Sequence, residues 1–282
     1  GDAYFNLIGS FRKRWINQLG AEWRTDVQVG RTSSVMTEFY QPLNPAGYFF
    51  IVPHASYERR TADLYRDDER VATYDMTSVL AGLSVGSVLG RYGELRLGIV
   101  GGTLRPELDT GPEALSPGES KVTQGAFTAR LILDQMDSVH FPRSGWRSSA
   151  RVFKSSGALG ADVPYTKWDA DFGAVYSFGN HTVNAAFKFG GSIGSDPLPR
   201  FDMFQWGGFL QQSGYATGQL VGETIKFGRL LYYHRILRGT LLEGAYGGAS
   251  IELGKVGKLL VPGNSDSLLK SATLFVVVHS PV

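Results

Sequence analysis

Ala21-Glu22-Trp23-Arg24-Thr25-Asp26-Val27-Gln28-Val29 decides the class of fold: its odd positions hold Ala, Trp, Thr, Val and Val, its even positions Glu, Arg, Asp and Gln. A period of two places one set on each face of a β-strand, whereas helical spacing would scatter both around a cylinder. The pattern recurs along the chain. In 49–60, Phe49, Ile51, Ala55 and Tyr57 oppose His54, Ser56, Glu58 and Arg60. In 166–178, Trp168, Ala170, Phe172, Ala174, Tyr176 and Phe178 share a side opposite Asp169, Asp171 and Ser177.

Extended outward, the same reading predicts strands near 3–14, 21–30, 33–43, 48–64, 70–88 and 93–106, then 120–137, 145–156, 165–178, 181–193, 224–237, 240–255 and 270–281. That makes about thirteen strands and no amphipathic helix. Many exceed the roughly 5–6 residues usual in globular sheets and reach the roughly 9–11 of a tilted membrane strand. Short connectors are expected at 17–20, 44–47, 89–93, 139–145, 179–181 and 237–239. Longer ones fall at 109–119, 155–164, 196–223 and 257–269. Short turns on one side and long loops on the other are the layout of an outer-membrane barrel. The expected class is therefore an all-β transmembrane antiparallel β-barrel, with 1–282 as one barrel domain.

Composition agrees with this class. Charged residues are 19% of the 282, below the roughly 25% typical of soluble domains, while aromatics reach 12% and glycine numbers 36. The polar strand faces carry full charges and the apolar faces Trp, Tyr and Phe, as a wet lumen and an aromatic girdle require. A net charge of +2 without a basic stripe speaks against nucleic acid as a partner. No apolar run approaches the roughly 18 residues of a helical span, the purest being 274–278. There is no cysteine, and the five histidines His54, His140, His181, His234 and His279 lack metal-ligand spacing, so no metal or other cofactor is expected. Ser213-Gly214 is not a nucleophile elbow, because Gln211 stands where the first glycine belongs. The run 98–102 is followed by no Lys-Ser/Thr and reads as strand, so the sequence offers no catalytic residue.

The connector 196–223 stands out. It is longer than the roughly 12–15 residues of ordinary loops, poor in charge and rich in glycine and aromatics. Phe201, Phe204, Trp206, Phe209 and Tyr215 could anchor it against a wall, and Gly207, Gly208, Gly214 and Gly218 let it turn sharply. It is expected to fold inward. Phe141-Pro142-Arg143-Ser144-Gly145 has the chemistry of a tight turn.

The FPRSG turn, the GGFLQQSGYATGQLVG segment and Ser250-Ile251-Glu252-Leu253-Gly254 follow one another in the order seen in the superfamily of BamA, TamA and the two-partner-secretion transporters. More narrowly, LGAEWRTDVQVGR, TEFYQPL, GRYGELRLG and GGFLQQSGY resemble the translocator barrel of patatin-like type Vd autotransporters, across essentially the whole chain. The resemblance implies a barrel of about sixteen strands, of which those read here would be the second to the fourteenth, a first strand and a C-terminal hairpin being absent. It implies a POTRA module and a secreted patatin-type lipase preceding the barrel, neither contained in this chain. Implied partners are outer-membrane lipids, the chain's own passenger, periplasmic chaperones and the barrel assembly machinery; oligomeric state does not follow. The FPRSG turn, with Phe141, Pro142 and Gly145, would be periplasmic. The family's inward sixth loop would be 196–223, its usual Val-Arg-Gly-Phe/Tyr tip falling on Trp206, Gly207, Gly208 and Phe209, with Gly214 and Tyr215 beyond. In relatives the tip arginine pairs with an acidic residue on the inner wall, here Glu252. Gly207 occupies the arginine position, so Glu252 must meet another cation, Arg200 being one candidate, or backbone donors of the glycine-rich tip. The implied function is a secretion pore. A passive porin-like channel, an assembly factor of the BamA/TamA type, and a soluble β-rich enzyme or lectin are the alternatives.

Overall fold

The computed structural model describes residues 6–66, 69–113, 120–138, 142–237, 244–261 and 267–279. Among these are β1 (Asn6–Lys13), β2 (Glu22–Gly30), β3 (Thr32–Pro42), β4 (Phe49–Arg66), β5 (Glu69–Val88), β6 (Gly93–Thr110), β7 (Val122–Asp134), β8 (Ser144–Ser155), β9 (Tyr165–Phe178), β10 (His181–Ser192), β11 (Phe204–Trp206), β12 (Leu220–Leu237), β13 (Gly244–Leu259) and β14 (Leu269–His279). Strands neighbour one another in chain order from β1 to β14, except that β10 pairs with β12 and the short β11 adds to β12. The strand pairings among the described residues are antiparallel, as suits consecutive strands joined by turns.

Each of the thirteen expected strands is present, with the expected ends at 3–5, 240–243 and 280–281 lying outside the described residues, as do 139–141 and 262–266 of two expected connectors. Three boundaries among the described residues differ by four residues. β6 runs on to Thr110, and β13 to Leu259, beyond the expected 255. β12 begins at Leu220, so the connector expected to end at 223 ends at 219 and contains β11. The alternation of connector length is also incomplete, because β2 and β3 are joined through Arg31 alone.

The chain divides into two compact units. The first comprises 1–131, 151–168 and 192–202. On its exposed face the registers align Val35, Tyr57, Val79 and Thr103, then Thr37, Ala55, Ala81 and Gly101, then Pro53, Leu83 and Ile99, then Ile51, Val85 and Leu97. Val79, Leu83, Val85, Leu97 and Ile99 are all exposed. Beyond Tyr57 the same face turns polar, with Arg59 donating to Asp75 at 2.6 Å and Thr61 to Asp75 at 2.9 Å. An antiparallel strand rises about 3.4 Å per residue, so Phe49 to Tyr57 spans about 27 Å. Tilted by about 40°, it projects to about 21 Å, close to the roughly 25 Å apolar band of an outer-membrane barrel. The sheltered face carries charge as well: Arg96 donates to Glu38 at 3.2 Å and lies over the Phe50 ring. Polar groups sheltered and aliphatic groups exposed is the inverse of a water-soluble sheet.

The second unit comprises 132–150, 169–191 and 203–282. It repeats the inversion. Ile251, Leu253, Leu274, Val276 and Val278 are exposed, while Ser250 and Glu252, one residue out of phase, are fully buried.

Candidate functional site

The segment between β10 and β12 is built onto sheet faces along its length. Within the first unit, Arg200–Asp202 forms one 3-10 turn. Its Asp202 accepts from Tyr165 Oη at 2.8 Å and from Lys167 Nζ at 2.7 Å, and Arg60 donates to the Phe201 carbonyl. Phe201 packs on Ala62, Met76, Leu104 and Val122, which gives this stretch an apolar anchor.

Within the second unit, β11 adds to the start of β12 through Phe204↔Gly222 and Trp206↔Leu220, and the Trp206 ring meets Phe227 at 4.8 Å. The chain then turns at Gly207. Its φ is +123°, and a Cβ there would lie 2.3 Å from the Ala216 carbonyl oxygen, so only glycine fits. That is why the tip carries no arginine: the backbone path excludes a side chain at this position.

The charges that hold the tip come instead from the wall. Arg229 on β12, Glu252 on β13 and Ser271 on β14 are in register, forming one row across three strands. Glu252 Oε2 accepts from the backbone N–H of Gln212 at 2.9 Å and of Ser213 at 2.7 Å; Oε1 accepts from the hydroxyls of Ser213 and Ser250, each at 2.9 Å. Arg229 donates to the Leu210 carbonyl at 3.0 Å and to Asn184 Oδ1 at 3.3 Å. Ser271 Oγ accepts from Gln212 Nε2 at 2.8 Å. Glu252 is fully buried, and an ionised carboxylate at such a depth is tolerated only when hydrogen-bonded and near opposite charge. Four donors and a cross-strand arginine meet that need.

The row also holds a strained backbone. Leu210 and Gln212 adopt left-handed conformations with φ of +60° and +74°, a region that costs a non-glycine residue about 1–3 kcal/mol and persists where surroundings over-determine it. Gly254, next on the Glu252 face, leaves the space Gln212 fills: a Cβ on it would lie 2.4 Å from Gln212 Oε1.

Of the residues singled out in the sequence, Trp206, Gly207, Gly208, Phe209, Gly214, Tyr215 and Glu252 all lie in the second unit. Phe209 meets Phe275 edge-on at 6.1 Å, Gly214 N–H points at Ser271 Oγ at 3.4 Å, and Tyr215 N–H closes a turn onto the Gln212 carbonyl. Arg200 is not the partner of Glu252; it is exposed in the 3-10 turn of the first unit. The donors to Glu252 are at Gln212 and Ser213, four to six residues past the glycine pair. Arg229, Ser271 and Asn184 had no signal of their own beyond strand parity, since pairing across strands is invisible in one sequence. In the FPRSG turn, Phe141 lies outside the described residues, Pro142 is half-buried, and Gly145 is already in β8. Asp137 accepts from Arg143 N–H at 2.8 Å and from Ser144 Oγ at 3.3 Å. The N–H groups of Arg143 and Ser144 hold its carboxyl below the usual carboxylate range.

A sequence profile of the Omp85 superfamily domain matches residues 5–251. No curated protein sequence matches the chain. Among solved structures, BamA from Haemophilus ducreyi lacking POTRA domains 1–3 is similar with a TM-score of 0.71 at 11% identity, over 90% of this chain and 55% of that one. CdiB from Acinetobacter baumannii gives a TM-score of 0.60 at 12% identity, over 98% and 54%. CdiB from Escherichia coli gives 0.60 at 13%, over 98% and 53%. The chain thus spans about half the length of each solved structure it matches.

Proposed function

The chain belongs to the Omp85 superfamily, as an outer-membrane β-barrel domain of translocator or assembly type from a Gram-negative bacterium, and from that premise we propose that it is a protein-secretion pore. Its cargo in this reading is an N-terminal patatin-like lipase passenger, exported behind a POTRA module. The thirteen long strands serve as the second to the fourteenth of a barrel of about sixteen, and the segment 203–219 lies in the lumen. Its partners are outer-membrane lipids, the passenger, periplasmic chaperones and the barrel assembly machinery. The supporting observation is the clamp on the sheltered face: a glycine-rich tip held across Arg229, Glu252 and Ser271 by main-chain and side-chain bonds. A diffusion channel gains nothing from fastening an apolar segment over its own charged wall. A translocator gains a plug that can be released, because the clamp consists of a few polar bonds and Phe209 beside it stays exposed.

Planar-bilayer conductance of the protein and of a deletion of 205–218 tests this. The proposal predicts low, flickering conductance that rises sharply on deletion. Large steady conductance in both would establish an open diffusion channel instead, and none in either would overturn the pore.

A further inference from the structure

Near the short turn 179–180 of the second unit, Arg143, Gly179, Asn180, Thr182, Tyr233, Arg235 and Tyr246 line a recess that is open to solvent. The registers Thr182↔Tyr233 and Arg235↔Tyr246 show how the wall is made: four side chains from β10, β12 and β13 that share the sheltered face. The segment directly before β8 supplies Arg143, which donates to the Gly179 carbonyl at 2.9 Å.

Two guanidinium groups and three hydroxyls face this space, and no carboxylate lines it. Arg235 spends Nε and Nη2 on the Tyr246 hydroxyl, at 3.2 and 2.7 Å, with its guanidinium 5.2 Å from the centre of that ring. Tyr246 stacks edge-on against Tyr233 at 5.8 Å, so the arginine is held in orientation by rings that are themselves packed. Among the described residues neither arginine has an acidic partner. Asp137, the acid nearest Arg143 in sequence, gives its oxygens to the N–H of Arg143 and the hydroxyl of Ser144. Arg235 is partly buried, and a partly buried cation without counter-charge is costly; guanidinium forks beside hydroxyls match an oxyanion.

We propose that this pocket is an oxyanion site that receives the side-chain carboxylate of an acidic polypeptide segment. The choice of a polypeptide rests on the translocator reading. It is supported by the face involved, because lipid headgroups meet the opposite face, where Tyr232 and Ile236 are exposed, while this pocket opens on the sheltered side. A chain passing along that side, or a domain seated at its end, would present Asp or Glu to it.

The test is binding of a fluorescent glutamate-rich peptide to the full chain in detergent micelles, compared with a peptide carrying glutamine at the same positions and with inorganic phosphate as competitor. Expected are saturable binding of the acidic peptide alone, displacement by phosphate, and at least about tenfold weakening in both R143Q and R235Q. Arg143 is exposed on a turn, so R143Q reports even if R235Q fails to fold. Equal binding of both peptides, unchanged affinity in R143Q, or phosphate binding without peptide binding would each overturn the proposal; the last would leave a free-ion site only. The conductance change on deleting 205–218 is independent of this pocket, so its failure would be distinguishable.

Discussion

Replacing Glu252 with alanine removes the acceptor of four hydrogen bonds, two from the backbone N–H groups of Gln212 and Ser213 and two from hydroxyls. The hydroxyls can rotate to other acceptors; the N–H groups cannot. A hydrogen bond to a charged group contributes about 1.5–3 kcal/mol, so the two fixed donors alone account for about 3–6 kcal/mol of tip docking. At about 1.4 kcal/mol per tenfold, opening of the tip should become about 10²- to 10⁴-fold more frequent. Amide hydrogen exchange reads this directly, because protection at Gln212 and Ser213 reports local opening. The β12–β13 ladder amides should keep their protection in the same sample, which separates release of the tip from unfolding. Glu252→Gln, which keeps one acceptor oxygen, should fall between wild type and alanine. Protection at Gln212 and Ser213 altered by less than about threefold in Glu252→Ala would show that the carboxylate does not hold the tip, and the argument would fail.

Arg229→Met should lower protection across 208–213 by about one to two orders of magnitude, since it deletes a charge-assisted bond to the Leu210 carbonyl and the cross-strand cation of Glu252. Introducing an arginine at the tip with Gly207→Arg should loosen the tip rather than tighten it, by about 1–3 kcal/mol of backbone strain alone, seen as faster proteolysis within 203–219. Trp23, on the exposed face, should be quenched by brominated lipids in single-tryptophan variants, whereas buried Trp206 should not. The Asp137 turn should be acid-sensitive. Its carboxyl is depressed in the folded state, so its contribution is present above the unfolded value near 3.8 and is lost as pH falls through the lower folded value. Exchange of the Arg143 amide should accelerate in that acid window, beyond the intrinsic trend, and Asp137→Asn should abolish the dependence.

Strand positions were legible because a two-residue period survives in a single chain. Ala21 to Val29 and Trp168 to Phe178 declare two faces without help from neighbours. The same periodicity read Phe204 to Trp206 and Leu220 to Glu223 as loop, because five glycines between 207 and 222 break the pattern and β11 is only three residues long. The inward fold of the connector was expected from its apolar, charge-poor composition; in the structure Phe201 packs on Ala62, Met76, Leu104 and Val122 in the first unit, and Trp206 meets Phe227 in the second.

The sequence by itself determined the fold class, the strand positions and the acidic character of position 252, since each depends on local alternation and on residue identity. Only the tertiary structure decided what Glu252 meets. Arg200 and Arg229 are equally charged in the sequence, but register places Arg229 beside Glu252 on the next strand and leaves Arg200 exposed in a turn of the other unit. Likewise, nothing in the letters of Arg143, Arg235 and Tyr246 announces a shared pocket. Antiparallel pairing joins residues many positions apart, and that pairing is a property of the sheet, not of any segment within it.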